Sequence, residues 1–230
     1  MKPWKVVGWV IPPHQNGSFV AAMEKVLDIY KRPYNKDFPV VCMDESPKQL
    51  IKETRTRIPM RQGFAAKEDF EYERCGVANI FLASEPLKGK RQVVVTERKT
   101  KTDWAKFIKR IADEWYRNAK KITLVMDNLA THTAGALYET YPAKEAKRIW
   151  DRFEFIYTPK HGSWLNMAEI ELNVLMGQCL NRRIHNMKTM DEEAGAWCTH
   201  RNNKRAIINW QFTNQDARIK LKRLYPTIVC

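Results

Sequence analysis

Two short runs in this sequence end in the same way. Phe38-Pro39-Val40-Val41-Cys42-Met43 leads into Asp44, and Ile122-Thr123-Leu124-Val125-Met126 leads into Asp127. A run that is nearly all apolar, rather than alternating, suits a strand covered on both faces. Each is therefore predicted to lie centrally in a sheet with helices above and below it. If the two strands are parallel neighbours, both aspartates reach one rim of the sheet, and open sheets of this kind bind ligands at the carboxyl ends of their parallel strands.

The remaining pattern supports one mixed α/β sheet. The segment through Pro12-Pro13 reads as extended, because proline fixes its own backbone and disfavours helix just before it. Phe19, Met23, Val26, Leu27 and Tyr30 recur at helical spacing, with Ser18 as the expected N-cap and Pro33 closing the helix. Residues 47–75 are polar and without clear period, and Glu53 to Arg57 is expected as an ordered loop or exposed strand. Val77–Ala83 and Gln92–Thr96 read as strands joined by a turn over Pro86–Lys90. Thr102 is expected to cap an amphipathic helix carrying Trp104, Phe107, Ile108, Ile111 and Trp115. A short basic helix over Ala143–Trp150, a strand over Phe153–Tyr157, a turn over Pro159–Gly162, and helices over residues 164–185 and 189–206 follow. A hairpin meander followed by alternating helices and strands predicts five strands with helices on both faces. Residues 1–37 read as a linker and first helix, 38–206 as the main domain and 207–230 as a C-terminal tail.

Two carboxylates brought together at a sheet rim repel, so the pairing is favourable only if a cation neutralises them. Hard oxygen donors suit Mg²⁺ or Mn²⁺, and two such ions clamp the attacking and leaving oxygens of a displacement at phosphorus. Singly, a strand-end aspartate is as often the cap of the next helix. A third acidic ligand is expected from the helix that starts near Ser163, which offers Glu169 and Glu171. Residues two apart on a helix point about 200° apart, so only one can face the rim. Periodicity does not choose between them, and the other is then solvated or paired with a neighbouring base.

Forty Lys and Arg against 26 Asp and Glu give a formal net charge of +14. A surface this basic points to a polyanion, most often nucleic acid. Arg55, Arg57, Arg61, Lys160, Arg182, Arg183, Lys220, Lys222 and Arg223 are candidates for phosphate contacts, with His132, His161 and Ser163 as further residues facing DNA. Trp164 and Trp210 are candidates for stacking on an unpaired base. The five cysteines are scattered singly, which argues for free thiols rather than a disulfide framework. No apolar run is long enough for a signal or a membrane span, so a soluble, intracellular protein is expected.

The blocks Val40–Ser46 (VVCMDES), Leu124–Thr133 (LVMDNLATHT) and Tyr157–Glu171 (YTPKHGSWLNMAEIE) resemble the three catalytic blocks of IS630-type transposases, part of the wider group that includes the Tc1/mariner transposons. The resemblance continues through Trp210–Thr213, Asp216–Arg218 and Tyr225-Pro226. It implies a ribonuclease-H-like, retroviral-integrase-like fold. It also implies Asp44, Asp127 and Glu169 as catalytic metal ligands for two Mg²⁺ or Mn²⁺ ions, the glutamate being that of a Leu-Asn-x-x-Glu element, here Leu165 to Glu169. The gap from Asp127 to Glu169 is somewhat longer than is typical of the group.

The chemistry so implied is hydrolytic nicking at element ends, followed by attack of the freed 3′-hydroxyl on target DNA at TA. The partners implied are transposon-end and target DNA at the bacterial nucleoid, further copies of the chain in a homodimer or higher oligomer on that DNA, and a helix-turn-helix module for which the stretch before residue 38 leaves little room. No Ser or Tyr sits in a recognisable recombinase setting. A stand-alone nuclease or resolvase of the same fold, and a DNA-binding accessory protein that no longer cuts, are the alternatives.

Overall fold

The structure, a computed structural model of the chain, describes residues 14–67 and 69–227. The extended segment expected through Pro12-Pro13, and Cys230, lie outside the described residues. In chain order the elements are α1 (Gly17–Tyr30), β1 (Val40–Glu53), β2 (Tyr72–Glu85), β3 (Lys90–Thr96), α2 (Lys101–Arg110), β4 (Ile122–Met126), α3 (Ala134–Thr140), α4 (Ala143–Asp151), β5 (Phe153–Tyr157), α5 (Met167–Leu175), α6 (Met187–Asn203) and α7 (Asn214–Lys220).

The five strands form one sheet in the order β3-β2-β1-β4-β5. β1, β2 and β3 make an antiparallel meander, while β4 and β5 run parallel to β1. The two runs ending in aspartate are both central, as their apolar character requires, and they are parallel neighbours. Strand alternation divides the core in two. Cys42, Ile80, Leu82, Val125 and Ile156 pack with α1, α5 and α6 on one face. Val41, Met43, Phe81, Leu124 and Met126 pack with α2, α3 and α4 on the other.

Several boundaries differ from expectation for identifiable reasons. β1 does not stop at Asp44 but continues to Glu53, paired with β2 across a bulge between Gln49 and Ile51. The parallel register with β4 ends at Cys42↔Val125, so the second half of β1 has one neighbour only. An edge tolerates Pro47, which has no N–H to donate, and the β2 side of this ribbon is exposed over Tyr72–Val77 and shows no period of two.

α1 is capped by Asn16, whose side chain accepts from the Phe19 amide at 2.9 Å, rather than by Ser18. Thr100, not Thr102, caps α2 through a reciprocal capping box with Asp103. The helix expected over 164–185 is in pieces: a 3₁₀ turn at Ser163–Leu165, α5, and a π turn at Met176–Leu180. α3 and α7, each of seven residues, were too short to give a periodic signal. The β2–β3 turn needs Gly89 at φ 64°, because a Cβ there would meet the Arg205 carbonyl carbon at 2.7 Å.

The C-terminal segment packs against α1. Arg218 Nε and Tyr225 Oη each lie 2.9 Å from Glu24 Oε1, Asn214 Nδ2 donates to Asp28 at 2.7 Å, and Ala217 and Leu224 are wholly buried. Among the described residues, no helix is long and apolar enough to cross a membrane.

Candidate active site

Asp44 and Asp127 each stand two residues past the last registered pair of the parallel strands, Cys42↔Val125. Period-two alternation therefore turns both toward the α5 face of the sheet. α5 reaches the same rim through Asn166. This buried side chain caps the helix, accepting from the Ala168 amide at 3.1 Å, and donates to the Met43 carbonyl at 2.8 Å. Its amide nitrogen also lies 3.4 Å from Asp44 Oδ2. Tyr30 adds a second tie, donating from its hydroxyl to the Leu165 carbonyl at 2.6 Å. The start of α5 is thereby fixed to β1 beside Asp44 and to α1.

Glu169 occupies the third helical position after that cap, where the exposed amides of a helix start favour a carboxylate. It stands close enough to Asp44 to act on it electrostatically. Burial, with the negative charges of Asp127, Glu169 and Glu45 nearby, pushes the Asp44 carboxyl up to about 7, although the Glu45 amide donates to it at 2.8 Å. Among the described residues, neither Asp44 nor Glu169 is ion-paired with a basic side chain.

Glu171 points the other way and is fully buried. Arg91 on β3 approaches it at 3.1 Å and Arg201 on α6 at 2.7 Å, so its carboxylate is held between two bases. Glu171 is the paired member of the two, and it is not solvated.

His132 is not on the surface expected for a residue facing DNA. Its side chain is 0% exposed, with Nδ1 2.8 Å from Asp127 Oδ1 and Nε2 3.0 Å from Glu45 Oε1. Burial alone would lower its pKa, but the two carboxylates outweigh that and raise it to about 9. Glu45 and Asn166 are site residues that sequence reasoning did not single out. Glu45 had a signal, since an acidic residue directly after Asp44 must face the opposite side of the strand. Asn166 had one too, an N-cap residue three before a glutamate.

The expected DNA-facing residues divide. Arg57, Arg61, Lys160, His161 and Ser163 are exposed, and His161 holds a left-handed backbone at φ 63° in the turn before α5. Arg55 is exposed but pairs with Asp69 at 3.2 Å. Arg182 pairs with Glu193. Arg183 is a structural clamp: it pairs with Glu53 at 2.6 Å, donates to the carbonyls of Asp69 and Glu71, and lies over the Tyr72 ring. Trp164 and Trp210 pack against Phe212 and Tyr30 respectively.

The donor set at the rim is all carboxylate, which fits a hard divalent cation. Among the described residues, no three His, Cys, Asp or Glu side chains converge into a ready-made cage. Mg²⁺ does not require one, since it keeps several waters and is commonly held by one or two carboxylates with substrate phosphates.

Comparison with known proteins bears on this arrangement. The fold is shared with the Mos1 mariner paired-end complex with Mn, at a TM-score of 0.56 and 16% identity over 90% of this chain and 62% of that one. The Mos1 strand transfer complex matches with a TM-score of 0.56 and 14% identity, over 88% of this chain and 62% of that one. The Mos1 paired-end complex with Mg matches with a TM-score of 0.53 and 12% identity, over 99% and 69%. The chain thus spans about 62% of the length of the first of these relatives, and the likeness bears out the ribonuclease-H-like fold. No curated protein matches. Residues 39–191 match the family described as DDE superfamily endonuclease, a stretch that holds every strand and all three rim carboxylates, and the chain belongs to that family.

Proposed function

We propose that this chain is the catalytic core of a DNA transposase that cuts at transposon ends and joins the freed 3′-hydroxyl to target DNA at TA. The observation that carries the reading is Asp44, without a basic partner among the described residues and repelled by both Asp127 and Glu169, at the place where the parallel pairing of β1 and β4 ends. Carboxylates held in that state are stabilised by a divalent cation, and the fold is one in which the Mos1 complexes carry Mn or Mg.

Asp44 and Asp127 are the anchors for two Mg²⁺ or Mn²⁺ ions, and Glu169 supplies the third carboxylate. When bound, such ions activate the attacking oxygen and neutralise charge on the leaving one. Asn166 holds Glu169 in reach of Asp44 by tying α5 to β1. Lys160, Arg57 and Arg61, on exposed segments, contribute charge toward the DNA backbone. Sequence-specific recognition of the ends is the task of a helix-turn-helix module, with two copies acting together on DNA at the bacterial nucleoid.

A strand-transfer assay tests the reading, using a pre-cut element end and a target containing TA, in Mg²⁺ and in Mn²⁺. The expected result is a joined product. Nicking without joining would mark a stand-alone nuclease or resolvase, and binding without either reaction an accessory protein.

A further inference from the structure

We propose that His132, anchored by Glu45, is a positioning residue that sets the Asp127 carboxylate and its spacing from Asp44, resting on the reading of Asp44 and Asp127 as metal ligands. The hydrogen-bonded register between β1 and β4 ends at Cys42↔Val125. Two residues further on, where the carboxylates stand, no backbone ladder fixes one strand to the other. His132 bridges that gap. One ring nitrogen lies 2.8 Å from Asp127 Oδ1 and 3.1 Å from the Asp127 main-chain carbonyl oxygen beyond β4, and the other 3.0 Å from Glu45 Oε1 on β1, directly after Asp44.

Every side of the imidazole is fixed. Its side chain is 0% exposed, and that of Glu45 is 3% exposed. The ring stacks on the buried Trp104 indole at 5.5 Å with 23° between planes. Its backbone carbonyl accepts from the Tyr157 hydroxyl at 3.0 Å, which ties the loop to β5. The unit passes through the end of the sheet: alternation places Asp44 on the α5 face and Glu45 on the α2 face, and His132 joins the second face to the rim.

A merely structural role gives a poor account of this arrangement. Burying an ionisable pair brings little stability relative to apolar side chains of the same volume. Oxygen Oε2 of Glu45 is buried with no hydrogen-bond partner, a further cost. A ligand whose free oxygen must be aimed within a fraction of an ångström does gain from such a partner, and loss of an outer partner typically weakens metal affinity by roughly 10- to 100-fold.

The test uses His132→Gln, Glu45→Gln, the double variant, and Asp127→Asn as reference. Mg²⁺ and Mn²⁺ binding to the DNA-free protein is measured by calorimetry, and the metal dependence of nicking of a supercoiled plasmid is measured alongside a thermal melt. Each single variant is expected to bind metal about 10-fold or more weakly, with nicking rising toward wild type as Mn²⁺ is increased. The double variant is expected to be no worse than His132→Gln, because Glu45 acts through the ring.

Unchanged metal affinity in the single variants, whatever the melt shows, overturns the inference. So does an additive double variant, since Glu45 would then act independently of His132. If His132→Gln does not fold, Glu45→Gln decides, because it alters no atom that touches Asp127. Failure of the underlying reading looks different: wild type would bind no divalent metal, or Asp127→Asn would nick like wild type.

Discussion

Arg91 and Glu171 form an ion pair in the interior, Nε to Oε2 at 3.1 Å, with neither side chain more than 1% exposed. Arg201 closes on the same carboxylate from α6 at 2.7 Å. Glu169, two residues earlier on the helix, has no such partner among the described residues and acts instead on Asp44. The two glutamates therefore fail in different ways. Glu171→Gln leaves two guanidinium groups facing a neutral amide and is expected to cost about 3 kcal/mol of stability. Glu169→Gln is expected to melt near wild type and to lose cleavage. Thermal melts and nicking assays on both variants check this, and a destabilised Glu169→Gln beside an inactive but stable Glu171→Gln would reverse it.

Asp44 gives a pH signature. Its carboxyl titrates at about 7 in the fold against 3.8 ordinarily. Between those values the unfolded chain sheds a proton that the folded one keeps. The contribution of Asp44 to stability is therefore full below the lower value and is lost as pH rises through the upper one. Without metal, the melting temperature of Asp44→Asn is expected to gain on wild type progressively across that window and to hold its lead above it. Added Mg²⁺ is expected to stabilise wild type at high pH and to do little for the variant. A gap that does not change with pH would contradict the burial of Asp44 among carboxylates.

The net charge of +14 sets how DNA binding responds to salt. Affinity for unrelated duplexes is expected to fall steeply with added salt, and replacing an exposed base such as Lys160 or Arg61 by Ala is expected to reduce that slope by about 1 each. Arg183→Ala is expected instead to lower the melting temperature, because its guanidinium holds Glu53, Asp69 and Glu71 together at the base of the β1–β2 loop. Titrations at several salt concentrations separate the two classes. An unchanged melt for Arg183→Ala with a reduced slope would return it to the DNA surface.

Asn166 carries two jobs on one side chain, capping α5 and holding the Met43 carbonyl. Asn166→Ala is expected to cost about 1–3 kcal/mol, from the lost cap and the carbonyl left without its donor. It is also expected to reduce cleavage, since Glu169 is no longer held to β1. Asn166→Asp keeps the cap and loses the donor, so it is expected to recover stability in part and cleavage hardly at all. Equal recovery of both would show that Asn166 serves only the helix.

The parts of this molecule written in local pattern were legible before the fold. The apolar runs into Asp44 and Asp127 specified central strands, though not that the two are neighbours, and Phe153–Tyr157 matched β5 residue for residue. The choice between Glu169 and Glu171 was not legible in periodicity, because both have apolar residues at helical spacing. What separates them is Arg91 and Arg201, distant in sequence and close only in the fold. His132 was misread for the same reason: nothing local says that a histidine in a polar loop lies under Trp104 with Glu45 as its partner. The ribbon of β1 and β2 beyond the sheet escaped notice because its β2 half is exposed over Tyr72–Val77 and its β1 half is mostly half-buried apart from Leu50, so neither carries alternation.

The most direct test of the central claim is nicking of a supercoiled plasmid by wild type, Asp44→Asn, Asp127→Asn and Glu169→Gln, in Mg²⁺ and in Mn²⁺, each protein shown to be folded by its melt. The expected result is metal-dependent nicking by wild type and none by any of the three variants. Nicking at the wild-type rate by any one of the three folded variants would contradict the assignment of the rim carboxylates as the catalytic centre.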